Sequence, residues 1–172
     1  MTTNLKKMRN VLLALGLITT SMKGQLSGVY TVPGSYASVA AAISDLNTAG
    51  VSGAVVINIA AGHTETAPVG GYTLNTVTGA SAINNIIFQK SGVGANPLIS
   101  AYAGGVGTPA TAAQDGVWRF IGADFITVDG IDISDPNLAN PATMEFGYGF
   151  FKASVTDGCQ NNTIKNCVIT LN

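Results

Sequence analysis

The sequence predicts an all-β fold, a parallel β-helix solenoid with one helix capping its N-terminal end. Three observations carry that expectation. Val128-Asp129-Gly130-Ile131-Asp132-Ile133 returns 36 residues later as Ile164-Lys165-Asn166-Cys167-Val168-Ile169. Each copy reads as a strand, a sharp bend and a second strand, and self-similarity at such a period marks a repeat architecture. Short β-favouring runs alternate with Gly, Asn and Asp bends along most of the chain. A helical period occurs early, where it can cover a first rung.

Taken in order, the chain starts with an address label. Lys6, Lys7 and Arg9 precede an apolar run over residues 11–18, and small or polar residues lead to Gly24-Gln25. Positive, apolar, then small is the order of a signal peptide, expected over residues 1–24. The apolar run is far short of the roughly 20 residues of a membrane-spanning helix. Residues 26–32 read as an opening strand closed by Pro33-Gly34. Ser35 or Ser38 then caps a helix whose Val39, Ala42, Ile43 and Leu46 share one face, and Gly50 ends it.

Residues 54–60 form a buried strand, Gly62 turns the chain, and residues 72–77, 83–89 and 98–100 are further strands. Residues 101–116, rich in Gly, Ala, Thr and Pro, look like an excursion from the stack. Strands follow at 117–121, 125–128 and 131–133, then a second loop over residues 135–143 with Pro136 and Pro141. Residues 150–153, 162–165 and 168–171 complete the pattern. The chain stops inside strand-like sequence, so the expectation is an incomplete stack. Further rungs, or a partner, would cover an open C-terminal edge.

Charge narrows the function. The 172 residues carry eight Lys and Arg against nine Asp and Glu. Four of the basic residues lie in the expected leader. Lys90, Arg119, Lys152 and Lys165 are left facing all nine acids, a formal charge of −5 after residue 24. That surface has no footprint for nucleic acid. Cys159 and Cys167 are the only cysteines. Export permits a disulfide between them, and two stacked free thiols suit the sequence equally. With one distant His63 they do not make a zinc spacing.

The order of strand, helix at 38–46, strand Val55-Val56-Ile57-Asn58-Ile59 and then Ala61-Gly62-His63-Thr64-Glu65 resembles the start of pectin-lyase-like right-handed parallel β-helix proteins. In the pectin methylesterases of that superfamily the turn reads Gly, any, Tyr, any, Glu, and here it is one residue shorter. Residues 123–133 and 161–169 are similar to two of its successive rungs, and the opening residues 24–32 resemble exported β-helix proteins of Bacteroidetes-type bacteria. The likeness covers most of residues 25–172. It implies a right-handed parallel β-helix and export to the surface or medium. The family's catalytic residues do not carry over. The methylesterase Gln segment would fall near Thr143-Met144-Glu145, which has no Gln, and the Asp and Arg rungs would lie beyond Asn172.

No catalytic residue and no metal ligand set is read from the residues themselves. Asp124, Asp129, Asp132 and Asp135 are the candidate carbohydrate or calcium contacts, because oxygen-rich groups bind Ca2+ and spaced carboxylates serve sugar chemistry. Bend and solvent-face roles account for the same four. Trp118 and Tyr148, with Phe120, Phe150 and Phe151, could stack on sugars, and core packing accounts for them as well. His63 has no visible partner, and Asn161-Asn162-Thr163 matches a glycosylation pattern. The expected function is an exported cell-surface or secreted scaffold contacting extracellular polysaccharide. The alternatives are the non-catalytic front of a polysaccharide lyase, carbohydrate esterase or glycosidase, and a structural adhesin or stalk.

Overall fold

A computed structural model describes residues 24–104, 115–137, 139 and 143–171. The expected leader, Gly24 apart, therefore lies outside the described residues, as does most of the excursion after Ala101. The fold is all-β apart from one helix. In chain order the elements are β1 (Leu26–Val32), α1 (Val39–Ala49), β2 (Val51–Ala60), β3 (Thr64–Thr66), β4 (Tyr72–Asn75), β5 (Ile86–Ser91) and β6 (Leu98–Ser100). They continue with β7 (Gly116–Ile121), β8 (Ile126–Asp129), β9 (Asp132–Ser134), β10 (Phe146–Phe151), β11 (Thr163–Lys165) and β12 (Ile169–Thr170).

These strands build three sheets, ordered β1-β2-β5-β8-β11, β3-β6-β9-β12 and β4-β7-β10. From β2 onward the chain visits the first, second and third sheet in turn and then returns to the first. Every pairing is parallel. Parallel neighbours need a long crossover, and here the visits to the other two sheets supply it.

Period-2 alternation decides which side chains go inward. Val55, Ile57 and Ile59 of β2 are buried, as are Ile86 and Phe88 of β5 and Ile126 and Val128 of β8. Register stacks them in rows, so that Ile57, Phe88, Val128 and Ile164 lie side by side in the first sheet. The second sheet contributes Ile99 and Ile133, and the third contributes Tyr72, Leu74, Trp118 and Phe120, to one continuous core. Trp118 stacks on Phe120 with ring planes 7° apart and meets Tyr72 and Phe88 edge-on. Such aromatic pairs add roughly 0.5–1.5 kcal/mol beyond their buried area.

The 36-residue repeat is real in register. Val128 pairs with Ile164 and Ile133 with Ile169. The bend between the two strands of each copy needs a left-handed residue. Gly130 (φ 67°) and Asn166 (φ 56°) supply it, as Gly62 and Gly92 do after β2 and β5.

Helix α1 forms where the sequence places it. The Ser38 hydroxyl accepts from the Ala41 N–H, Gly50 closes the C-terminus at φ 70°, and Val39, Ala42, Ile43 and Leu46 are the buried face. Glu65 of β3 adds a second hold. Its carboxylate accepts from the N–H groups of Val39 (2.8 Å) and Ala40 (3.3 Å) at the helix start, where an anion meets the helix dipole favourably.

Several boundaries differ from the sequence reading. Ile83 is 86 % exposed, and its strand begins only at Ile86, where the inward alternation starts. Thr64–Thr66 is a strand rather than part of a turn. It is too polar to betray itself and is ordered by parallel pairing with Leu98–Ser100. Phe125 takes a left-handed backbone (φ 58°) just before β8 instead of opening it. β10 starts at Phe146, four residues early, because Gly147 and Gly149 hide its alternation. The cysteine alternative resolves to free thiols: Cys159 and Cys167 are both unbridged.

Candidate functional site

The four sequence-predicted aspartates do not converge. Asp124 Oδ1 accepts from the Gln160 N–H and ties the connection before β8 to the next circuit. Asp129 and Asp132 share the corner between the first and second sheets. Asp129 accepts from Asn166 Nδ2 (2.7 Å) and pairs with Lys165 Nζ (3.2 Å). The Asn166 hydrogen bond, helped by the Lys165 and Lys90 charges and opposed by partial burial, holds the Asp129 carboxyl below its usual range. Asp132 Oδ1 accepts from Asn96 Nδ2 (2.8 Å) and the Val168 N–H (2.9 Å). Asp135 lies at the bend where the sequence places it, but at 4 % exposure it does not face solvent. Its Oδ1 accepts from the Asn137 N–H (2.9 Å), while its Oδ2 is buried with no hydrogen-bond partner.

The aromatic candidates divide by face. Trp118 and Phe120 are fully buried, out of reach of any surface ligand. Tyr148 points inward against both rings and donates to the Ile131 carbonyl (3.0 Å), and burial pushes its phenol above the usual range. Phe150 stacks on Phe120 at 4.8 Å and faces the same way. Alternation then turns Gly149 and Phe151 outward. The rings of Phe146 and Phe151, 5.5 Å apart, both lie over Gly149, where a Cβ would come within 2.5 Å of one and 2.7 Å of the other. Phe151 is 36 % exposed.

His63 has a partner after all. Its Nε2 sits 3.2 Å from Glu65 Oε2, and Glu65 Oε1 accepts from the buried Tyr72 hydroxyl at 2.7 Å. The same carboxylate holds the start of α1. The group is a clamp between the helix and the first circuit.

The most chemically loaded place is one the sequence reading missed. The connections from the second sheet to the third, 67–71, 101–115 and 135–145, leave the stack at one corner. Two of them are the loops already singled out. There Tyr102 donates to Asp115 Oδ1 (2.8 Å), Glu145 Oε2 accepts from the Asp115 N–H (2.6 Å), and the Glu145 N–H donates to the Asp115 carbonyl (2.9 Å). Burial pushes the Tyr102 phenol up to about 12, helped by the hydrogen bond and charge of Asp115 and opposed by the Arg119 charge. Arg119 lies in register with Gly149 across the third sheet, beside the Phe146 and Phe151 rings.

One cation, two carboxylates, a phenol and two outward aromatic rings therefore lie along one edge of the third sheet. Hydroxyl-rich ligands are gripped by such sets, with rings against their C–H faces and charged groups on their hydroxyls. The sequence did carry a faint sign of this site. Asp115 and Glu145 each stand immediately before a strand of the same sheet, 30 residues apart. Among the described residues no group of three or more His, Cys, Asp or Glu is placed to hold a metal ion. No helix among them is long and apolar enough to cross a membrane. Comparisons with protein-family models, with curated proteins and with solved structures give no match.

Proposed function

We propose that the chain is part of an exported, right-handed parallel β-helix that contacts extracellular polysaccharide. The cyclic visit to three all-parallel sheets supports the helix reading, and the residue order before Gln25 supports export. The observation that carries the ligand class is the corner itself. Tyr102, Asp115, Arg119 and Glu145 adjoin the outward Phe146 and Phe151 rings, next to the two longest connections. Asp115 and Glu145 each have an oxygen committed to a hydrogen bond within the fold. That favours positioning a sugar over transferring protons to it.

The test is retention of residues 25–172 on immobilised acidic and neutral polysaccharides. Retention on at least one is expected, with Phe151→Ala weakening it about fivefold, the loss of one aromatic–sugar contact worth about 1 kcal/mol. An empty screen sinks the reading, and so does full retention by Phe151→Ala together with a charge-reversed Glu145→Lys. Two carboxylates beside an arginine also favour a second reading, the front of a carbohydrate-active enzyme. Release of soluble sugar from a retained polysaccharide would establish it.

A further inference from the structure

A groove of about 270 Å3 separates α1 from the residues around β4, the last strand of the third sheet on that side. Ala40, Ser44 and Thr48 follow one another at i, i+4 and i+8, so they share one helix face, and that face forms one wall. Pro68 and Thr73 belong to the other. Asn47 fixes the distance between the walls. Its Nδ2 donates to the Thr73 carbonyl (2.8 Å) and its Oδ1 accepts from the Asn75 N–H (2.9 Å). One side chain thus stands in for the next strand at the edge of β4, and the groove is formed before any ligand arrives.

Its chemistry is selective. Tyr72 is the one titratable residue in the lining, and its hydroxyl is given to Glu65 (2.7 Å). Asp45, beside Ser44 on the helix, accepts from the Tyr36 hydroxyl (2.8 Å). An ion would therefore lose hydration here with no opposite charge in the lining to offset it. Among the described residues the Ser44 and Thr73 hydroxyls have no hydrogen-bond partner. Thr48 gives its proton to the Ser44 carbonyl (2.7 Å) and keeps its oxygen as an acceptor. A wholly apolar ligand would cover these groups and leave them unpaired. A ligand with C–H surface for Ala40, Ile43 and Pro68, and hydroxyls for Ser44, Thr48 and Thr73, meets both demands. Position points the same way. Thr73 is in register with Arg119, and Arg119 with Gly149 beneath the Phe146 and Phe151 rings. Two strand spacings, about 10 Å, separate the groove wall from those rings.

We propose that the groove between α1 and β4 is a subsite for one neutral sugar unit. It takes its ligand class from the polysaccharide reading and adds a second point of attachment to it. At the corner, rings and charges hold the ligand; in the groove, hydroxyls on a helix and a strand do so.

The experiment is an amide NMR titration of the full chain with the methyl glycosides of glucose, galactose, mannose and N-acetylglucosamine, and with glucuronate as the charged control. At least one neutral glycoside should shift the amides of α1 and of residues 68–73, with Kd on the order of 5 mM, ordinary for so small a ligand. Ser44→Phe, which puts a ring into the groove from an exposed helix position, should abolish those shifts at unchanged Tm. Thr73→Val should weaken binding about fivefold, the loss of one hydrogen bond, and it decides the matter should Ser44→Phe not fold. No shift with any neutral glycoside, shifts elsewhere only, equal shifts there with glucuronate, or undiminished binding in a folded Ser44→Phe overturns the proposal. The polysaccharide reading is judged separately. A chain retained on polysaccharide whose groove shows no shifts overturns this subsite alone. Groove shifts in a chain that no polysaccharide retains support the subsite and sink that reading.

Discussion

Gly130 and Asn166 occupy the same bend in successive circuits, and both have positive φ. Space at Gly130 is open enough for a side chain, with the nearest atom 3.4 Å from an added Cβ, whereas at Gly71 (φ 76°) a Cβ would sit 2.1 Å from the Gly116 carbonyl. Gly130→Asn should therefore change stability by less than about 1 kcal/mol, since Asn tolerates this backbone. Gly71→Ala should lose about 3 kcal/mol or fail to fold, because strain and a backbone clash act together. Urea unfolding of the two variants checks the contrast.

Asp129 gives a pH prediction at the same scale. Its folded pKa is depressed, first by the Asn166 hydrogen bond and then by Lys165. The ionised form therefore favours folding. Its contribution is present above the unfolded value near ~4 and is lost as pH falls through the folded value. Asp129→Asn should flatten the acid limb of the stability curve below the unfolded carboxylate value. An unchanged limb in denaturant melts would refute the assignment.

At the scale of the element, α1 shows how a helix is fastened to a strand stack. Its apolar face and its Ser38 cap are local properties. Its docking angle depends on Glu65, which comes from β3 and binds the helix N-terminus, Tyr72 and His63 at once. Removing that carboxylate strands a buried phenol and two helix N–H groups. Glu65→Ala should lose about 2–3 kcal/mol, read as a lower urea midpoint. Glu65→Gln keeps one acceptor and should lose less. Equal losses would mean that the clamp holds through packing alone. Asn162 plays a similar part further on. Its Oδ1 accepts from the Ile126 N–H and its Nδ2 donates to the Ala123 carbonyl, so a side chain continues the ladder just before β11.

At the scale of the molecule, the two ends of the stack contrast. The β1 end is covered by α1. At the other end β10, β11 and β12 each have one strand partner among the described residues, and Phe150 (45 %), Val168 (60 %) and Ile169 (47 %) stand exposed. Unpaired strand edges beside apolar side chains template further pairing. The chain of residues 25–172 should associate with rising concentration. Val168→Lys should reduce that association without lowering Tm appreciably, since the side chain it replaces is largely in water. Sedimentation velocity at two concentrations tests both statements, and a monomer at each would refute them.

The repeat at 128–133 and 164–169, the left-handed bends, and the capped helix with its four buried residues were legible in the sequence. Each depends on neighbours within a few positions, where periodicity and Gly or Asn chemistry act directly. Thr64–Thr66 and the start of β10 were not legible, because a Thr-Glu-Thr strand and a Gly-interrupted one acquire their order from the strands they pair with. The candidate aspartates were read one by one as bend or solvent-face residues. The sequence could not show that Asp132 would clamp Asn96, 36 residues away, or that Asp135 would be buried with one oxygen unpartnered.

Likewise Tyr102, Asp115, Arg119 and Glu145 share no motif, and they meet only because successive circuits stack in register. The sequence by itself determined the strand-rich class, the bends, the helix and an excess of acidic over basic residues after residue 24. Tertiary structure decided which residues share a corner and which aromatics face outward. Those depend on stacking register across tens of residues, and local propensity carries no record of that.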